Sequence, residues 1–203
     1  MHQQNEEIKY YRLRGEEGRK FVDELANLRI NVFRDYPYLY EGDVTYEKKY
    51  LETYFNSEYS FILLLQHNEK FIGATTAIWA QDEGQEFRDP FEKYGLDPKN
   101  ICYFGESILL QEYRGQGLGK VFFKEREDFA RSLGFIKYIA FCAVIRPEDH
   151  PLKPVNYRPL DDFWKSQGFH LVDKLTTEYS WKDLNSSFET SKKMQYWLKS
   201  ISI

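Results

Sequence analysis

The residues able to do chemistry concentrate between Tyr103 and Leu133, YFGESILLQEYRGQGLGKVFFKEREDFARSL. Arg114 is followed by three alternate glycines, Gly115, Gly117 and Gly119, and from Leu118 the apolar positions Leu118, Val121, Phe122, Phe129 and Leu133 fall at helical spacing. Upstream, Ile101, Tyr103, Ile108, Leu109 and Leu110 are the types of a buried strand, which breaks at Gln111-Glu112-Tyr113. The first turn of a helix has N–H groups without internal partners and a partly positive end. Glycines before it let a bulky anion reach those groups, so this stretch reads as a phosphate-binding device. A Walker A loop does not fit, because Arg114 stands at its first Gly and Val121 at its Ser/Thr. A dinucleotide fingerprint fails at Lys120. The pattern that remains is R-x-x-G-x-G, on Arg114, Gly117 and Gly119. One carboxylate, Glu106, lies within the apolar strand, where it is costly without a task or a partner. Regular alternation puts it on one face with Ile108 and Leu110.

The elements that must position these groups are legible along the chain. Ile8 to Leu13 alternates as a strand, and Phe21, Val22, Leu25, Leu28, Val32 and Phe33 predict a helix over about 18–34, ended by Pro37. A loop dense in tyrosine and acid follows, from Asp35 to Asp43, then a second helix over Thr45 to Phe55. Phe61 to Leu65 and Phe71 to Ala80 read as a hairpin about a turn at Asn68-Glu69-Lys70. Residues 81–99 are polar and read as an insertion with a short helix at 89–94. After the central stretch come a strand over Phe135 to Ile145, parallel to the one before it, and a proline-punctuated loop to Pro159. A short helix over Leu160 to Gln167, a strand near 170–182 and a last short strand over Met194 to Leu198 complete the chain. This order describes an α/β protein with a mixed sheet of about seven strands and flanking helices.

Of the 203 residues 42% are hydrophobic and 30% charged, the balance of a globular chain, and the length suits one domain. No apolar run approaches a membrane helix, and the polar start MHQQNEEIKYY lacks the apolar core of a signal peptide, so the expected location is the cytoplasm. The net charge of −4 argues against a nucleic-acid surface. Cys102 and Cys142 are too few for a zinc site or a disulfide framework, and no metal is expected.

The R-x-x-G-x-G loop, with Glu106 to Tyr113 as strand and exit, resembles the pyrophosphate loop and fourth strand of the GNAT superfamily of N-acetyltransferases. The element order is similar from about residue 8 to the end, with a core over about 8–183 and a C-terminal strand over about 190–201. Phe163-Trp164-Lys165-Ser166-Gln167-Gly168-Phe169 resembles the family's helix ending in Gly-Phe. Arg146-Pro147, His150-Pro151 and Tyr157-Arg158-Pro159-Leu160 resemble a bacterial subgroup found with nitrilase-like amidases.

The resemblance implies the acyl-CoA N-acyltransferase fold, mostly antiparallel, with splayed fourth and fifth strands. It implies acetyl-CoA as co-substrate. Arg114, Gly115, Gln116, Gly117, Leu118, Gly119 and Lys120 would hold the pyrophosphate, and the backbone of Ile108, Leu109 and Leu110 would pair with the pantetheine arm. Lys120, Lys124 and Arg126 are candidates for the outer phosphates, or are solvated. An amine with a pKa of about 10 must lose a proton to become a nucleophile. Glu106 is the expected base; its bland alternative is a carboxylate paired with an arginine or held by water. Family members often protonate the leaving thiolate with a tyrosine in the Gly-Phe helix, but here Trp164 stands in that place. Tyr157 is the substitute, or a packing residue, and His150 is a further polar group of its loop.

The acceptor is expected between the first two helices and the late loop, against Tyr36, Tyr38, Tyr40 and Glu41, with Asp43 nearby. The same tyrosines also suit plain packing. Two functions stand: transfer of acetyl to a primary amine of a small molecule or protein within a ternary complex, or a non-catalytic acyl-CoA sensor or accessory domain for an amidase. A homodimer stays open.

Overall fold

The computed structural model describes residues 7–201. In chain order the elements are β1 (Lys9–Leu13), α1 (Val22–Phe33), α2 (Val44–Phe55), β2 (Ser60–His67), β3 (Lys70–Trp79), α3 (Gln85–Tyr94), β4 (Ile101–Tyr103) and β5 (Ser107–Leu109). Then follow α4 (Leu118–Ser132), β6 (Tyr138–Val144), α5 (Asp161–Ser166), β7 (His170–Lys182) and β8 (Glu189–Ser200). The strands lie in the order β1-β2-β3-β4-β6-β8-β7, with β5 on β3. Every pairing is antiparallel except β4 with β6. This is the mixed sheet with one parallel step that the sequence predicts.

The sheet is buried on both faces. Leu25 and Leu28 of α1 and Leu51 and Tyr54 of α2 pack on Ile62, Leu64 and Ile78. On the other face Phe122, Phe123 and Phe129 of α4 pack on Leu63, Phe104 and Trp197. Double burial explains why Phe61 to Leu65 reads as an unbroken apolar run rather than an alternation. The Asp43 side chain caps α2 by accepting the Tyr46 N–H at 2.7 Å.

Three elements differ from their expected bounds. The first helix opens as a 3-10 turn over Gly15–Phe21 before α1 begins. The 89–94 helix is one end of α3, which starts at Gln85 and buries Phe91. The last strand begins at Glu189, because polar residues 189–193 pair with β7 out to Lys182↔Glu189. They extend a hairpin whose far end carries exposed residues, so no apolar signal marks them. That end is stitched to the loop after α1. The Glu41 N–H donates to Lys182 O (2.8 Å), the Leu184 N–H to Leu39 O (2.7 Å), and Arg146 Nη2 to Tyr38 O and to Asp183 Oδ1 (2.7 Å each).

Candidate active site

The strand expected over 101–110 is interrupted, and the interruption builds the site. The Gly105 N–H donates to Thr76 O (3.2 Å), and the Thr76 N–H donates to Glu106 O (3.1 Å). Two residues opposite one make a β-bulge. A Cβ at Gly105 would overlap the Tyr54 hydroxyl and stand 2.6 Å from Thr76 Oγ1, so only glycine fits. The bulge also breaks the alternation. Phe104 packs in the α4 layer, while Glu106 turns to α1 and shares its face with Ile108.

Past the bulge the sheet opens. The β4–β6 ladder ends at Tyr103 opposite Ala140, with the Phe104 N–H on Ala140 O at 2.8 Å. Beyond it β5 pairs with β3, and β6 runs on against β8, leaving a gap between them. Glu106 O and the Leu110 N–H bond to β3, so the backbone groups of Ser107 and Leu109 turn toward the gap. There Leu109 O accepts from Arg114 Nε at 3.0 Å.

At one end of the gap lies the glycine turn. Gly115 (φ 79°) and Gly117 (φ 85°) are left-handed, and added Cβ atoms would meet nothing within 4 Å. The turn therefore faces open space, and Gly117 caps α4 with no side-chain bond. The N–H groups of residues 115 to 119 have no hydrogen-bond partner among the described residues. Gly119 is glycine for another reason: a Cβ there would press to 3.3 Å from the Phe163 ring of α5. Such a row of bare amides fits a diphosphate.

The gap forms a cavity of about 430 Å³, lined by Phe104, Gly105, Glu106, Phe123, Arg126, Phe141 to Arg146, Tyr157 and Trp164 among others. A second cavity, about 320 Å³, lies on the α1–α2 side and is lined by Arg29, Tyr40, Tyr46, Glu47, Tyr50, Glu86, Phe87, Tyr179 and Trp181. Phe33, Tyr38, Gly105 and Cys142 line both. The two cavities thus meet at the bulge, one on each face of the sheet.

The electrostatics at this meeting point are set by three buried side chains. Arg29 of α1 pairs with Glu47 of α2 through Nε, and with Glu106 Oε2 through Nη1 at 2.6 Å. Its guanidinium lies over the Tyr50 ring, 4.1 Å from the centroid. Burial opposes its charge, but Glu106, Tyr50 and Glu47 outweigh that and hold its pKa well above the ordinary value. One arginine thus serves two carboxylates, and Glu106 Oε1 is left with no partner among the described residues. Below the gap Arg126 is fully buried, stacked on Phe104 (4.2 Å) and Phe123 (4.7 Å), with Nη1 donating to Glu106 O at 3.3 Å. Burial lowers its pKa to about 9, so it stays charged at neutral pH, and its Nη2 has no acceptor among the described residues.

The residues singled out in the sequence are distributed as follows. Glu106, Tyr36, Tyr38 and Tyr157 line the gap, with Tyr157 edge-on to Tyr36 (centroids 4.6 Å) and its pKa raised by burial. Tyr38 also lines the second cavity, as does Tyr40. Glu41 lines neither; its side chain lies 4.0 Å from Arg34, and its N–H serves the hairpin. The His150 ring lies tilted against Tyr36, with centroids 5.8 Å apart. Arg114 folds back onto Leu109 O and Asp35 rather than over the glycine turn. The Leu118 side chain is core, and only its backbone faces the turn. Lys120 is exposed, Lys124 pairs with Asp128, and Arg126 points inward, away from any outer phosphate. Sequence reasoning missed Arg29, Glu47 and Tyr50, whose helices show only an apolar stripe. The pairing with an arginine that stood as the alternative to a base role for Glu106 is present in the structure, and the partner comes from 77 positions away across the fold, by the numbering of Arg29 and Glu106.

Cys142 also faces both cavities, with its thiol pushed up to about 12 by burial, and so is a poor nucleophile. Among the described residues no group of three or more His, Cys, Asp or Glu is arranged to hold a metal, and no helix is long and apolar enough to cross a membrane.

Comparison with known proteins agrees with this geometry. The model of the acetyltransferase (GNAT) family matches residues 24–154, which include the glycine turn and Glu106 and stop short of Tyr157. The fold is similar to that of Arabidopsis thaliana NAA60 in complex with acetyl-CoA, at 11% identity and a TM-score of 0.61, covering 96% of this chain and 99% of that one. It is also similar to ribosomal-protein-alanine N-acetyltransferase from Brucella melitensis, at 12% identity and 0.59, covering 96% and 99%. A GNAT-family acetyltransferase from Staphylococcus aureus is similar at 12% and 0.61, covering 97% and 100%. At these identities the likeness to the solved structures is one of fold.

Proposed function

The chain belongs to the acetyltransferase (GNAT) family, and from that premise we propose that it moves the acetyl group of acetyl-CoA to a small primary amine entering beside α2, α3 and the β7–β8 hairpin. The observation that carries this is the meeting of the two cavities at Gly105, with the unpartnered Glu106 carboxylate oxygen next to it in the first cavity and a bare-amide turn beyond β5. The residues present fit the co-substrate. The amides of residues 115–119 would hold its diphosphate, and the open edge of β5 would hold its amide arm. Arg126 Nη2 is a buried donor for a carbonyl oxygen of that arm. Acetyl-CoA supplies, when bound, a carbonyl carbon activated by its thioester bond.

Glu106 takes the proton that makes the amine nucleophilic. Its free Oε1 is the acceptor, and Arg29 holds the other oxygen in place. Tyr157, whose raised pKa keeps its proton on, supplies a proton to the sulfur.

The charge of the second cavity selects among amines. Glu47 and Glu86 line it, and Arg29, the one cation among the described residues that line it, is already shared between two carboxylates. An acceptor carrying its own carboxylate finds no free cation there. A second positive charge on the acceptor is favoured, and tyrosine and tryptophan faces surround it. The hairpin stitched to the loop at Leu39–Glu41 bounds this cavity, whose volume of about 320 Å³ suits a small acceptor better than a peptide. The reading is therefore a short diamine rather than an amino acid or a protein N-terminus. The resemblance to the amidase-associated subgroup gains nothing from the comparisons.

Thiol release from acetyl-CoA tests this, using putrescine, butylamine, ornithine and an alanine-led peptide. Putrescine should be the best substrate, and Glu106→Gln should lower kcat/KM about a hundredfold or more. Preference for ornithine or the peptide would overturn the acceptor reading. Tight CoA binding with no turnover on any amine would favour the accessory-domain reading.

A further inference from the structure

Glu106 has a second polar neighbour that the transfer reaction does not use. Tyr50 Oη lies 3.4 Å from Glu106 Oε2, 3.0 Å from Tyr54 Oη, and Tyr54 Oη lies 3.2 Å from Glu83 Oε1. The three contacts form one continuous line under the bulge, since Tyr54 Oη is the group that forbids a side chain at Gly105. Glu83 follows β3 just before α3 and is 4% exposed. A polar line of this kind through an apolar layer is costly unless each member is satisfied or used.

We propose that Tyr50, Tyr54 and Glu83 relay the proton gained by Glu106 away from the acceptor, with Glu83 as its terminus. The inference rests on Glu106 being the base. Moving one acetyl from a thioester to an ammonium forms a C–N bond, breaks the C–S bond, places one proton on sulfur and releases one proton. That released proton is the one relayed. The proton gained on Glu106 Oε1 enters the line once the carboxyl group turns that O–H toward Tyr50; it then donates to Tyr50, the Tyr50 O–H to Tyr54, and the Tyr54 O–H to Glu83, so three protons fill three gaps. Shifting all three by one step leaves Glu106 charged and Glu83 protonated, with both tyrosines again neutral; Glu83 then gives that proton to water at the exposed Asp82 turn, and the hydroxyls turn back before the next cycle. Burial raises both tyrosines well above their ordinary pKa, so neither rests as a phenolate.

The direction follows from the neighbours. Glu106 in its charged form is held by Arg29. Among the described residues the groups facing Glu83 are Tyr50 and Tyr54 of α2, Glu106 at the bulge, Glu86 of α3, and Cys142, Tyr179 and Tyr196 of β6, β7 and β8, none of them a cation. Asp82 beside it accepts from Ser57 Oγ at 2.6 Å. Burial pushes the Glu83 carboxyl up to about 7, so a proton on the line settles there near neutral pH.

Two measurements on the full chain test the relay. Difference infrared spectroscopy of the protein alone should show a carboxylic C=O band titrating near pH 7. That band should be lost in Glu83→Gln and kept in Asp82→Asn. With putrescine and acetyl-CoA, Glu83→Gln and Tyr54→Phe should each lower kcat about tenfold or more with little change in either KM, and should abolish the acid limb near pH 7. Melting curves identify a variant that has simply unfolded, and Tyr50→Phe then replaces it. If Glu106→Gln cripples turnover while Glu83→Gln and Tyr54→Phe stay within about twofold of the parent with its pH profile, the relay is refuted and the base assignment stands. If Glu106→Gln itself has no effect, the base assignment fails, and the relay with it.

Discussion

Replacing Arg29 by Met tests the electrostatic core of the site through stability alone. Arg29, Glu47 and Glu106 have side-chain exposures of 10%, 0% and 1%, so solvent screens none of their contacts well. Each close pair is worth roughly 4 kcal/mol at an effective dielectric near 20. Removing one partner of a buried pair costs about 3–5 kcal/mol, because the remaining charge stays desolvated. Here one substitution strands two carboxylates, so the upper end is expected. Loss of the stacking on Tyr50 and Phe33 adds about 1 kcal/mol that does not depend on pH. For a chain of this size that sum lowers Tm by roughly 10–20 °C.

The carboxylate part must depend on pH. In the variant, Glu47 and Glu106 lose their cation and have folded-state pKa values raised above the unfolded value of about 4.3. Folding then takes up protons, so the deficit is full above the raised values and shrinks as pH falls through them. Urea denaturation of parent and variant at pH 8 and pH 5 measures this. The gap should narrow at pH 5, and adding Glu47→Gln and Glu106→Gln to the variant should restore much of the loss at pH 8. A gap below about 1 kcal/mol, or one equal at both pH values, would refute the claim that the two carboxylates depend on this arginine.

Gly105→Ala should cost about 1–3 kcal/mol by pressing on Tyr54 and Thr76, and should reduce turnover more than it reduces acetyl-CoA binding, as seen by comparing kcat with a ligand-induced Tm shift. Tyr157→Phe should lower kcat about tenfold or more and leave KM for the amine unchanged; an equal loss from Tyr38→Phe alone, with Tyr157→Phe silent, would move the acid to the residue that lines both cavities. Gly117→Glu, which strains a left-handed position and sets a carboxylate against the expected diphosphate, should abolish the Tm shift given by acetyl-CoA; a preserved shift would remove the loop from the site.

The glycine turn, the order of the elements and the two-sided core could be read from the chain because their causes are local. A positive φ, a helix start and an apolar run are each written in a few neighbouring residues, as at Gly115, Gly117 and Leu118. The polar end of the β7–β8 hairpin was not readable from its residues, which mark only Met194 to Leu198, because its pairing alone makes residues 189–193 a strand; the family resemblance, not a local signal, placed a strand over about 190–201. The tertiary structure alone decided which charges meet. Arg29 looks like any solvated helix residue, and Arg126 like a phosphate-seeking one, until packing buries both. Glu106 met Arg29 because a bulge at Gly105 turned its strand, and that bulge exists only where Tyr54 and Thr76 close around it. Buried ion pairs join elements distant in sequence, so no spacing rule along the chain encodes them.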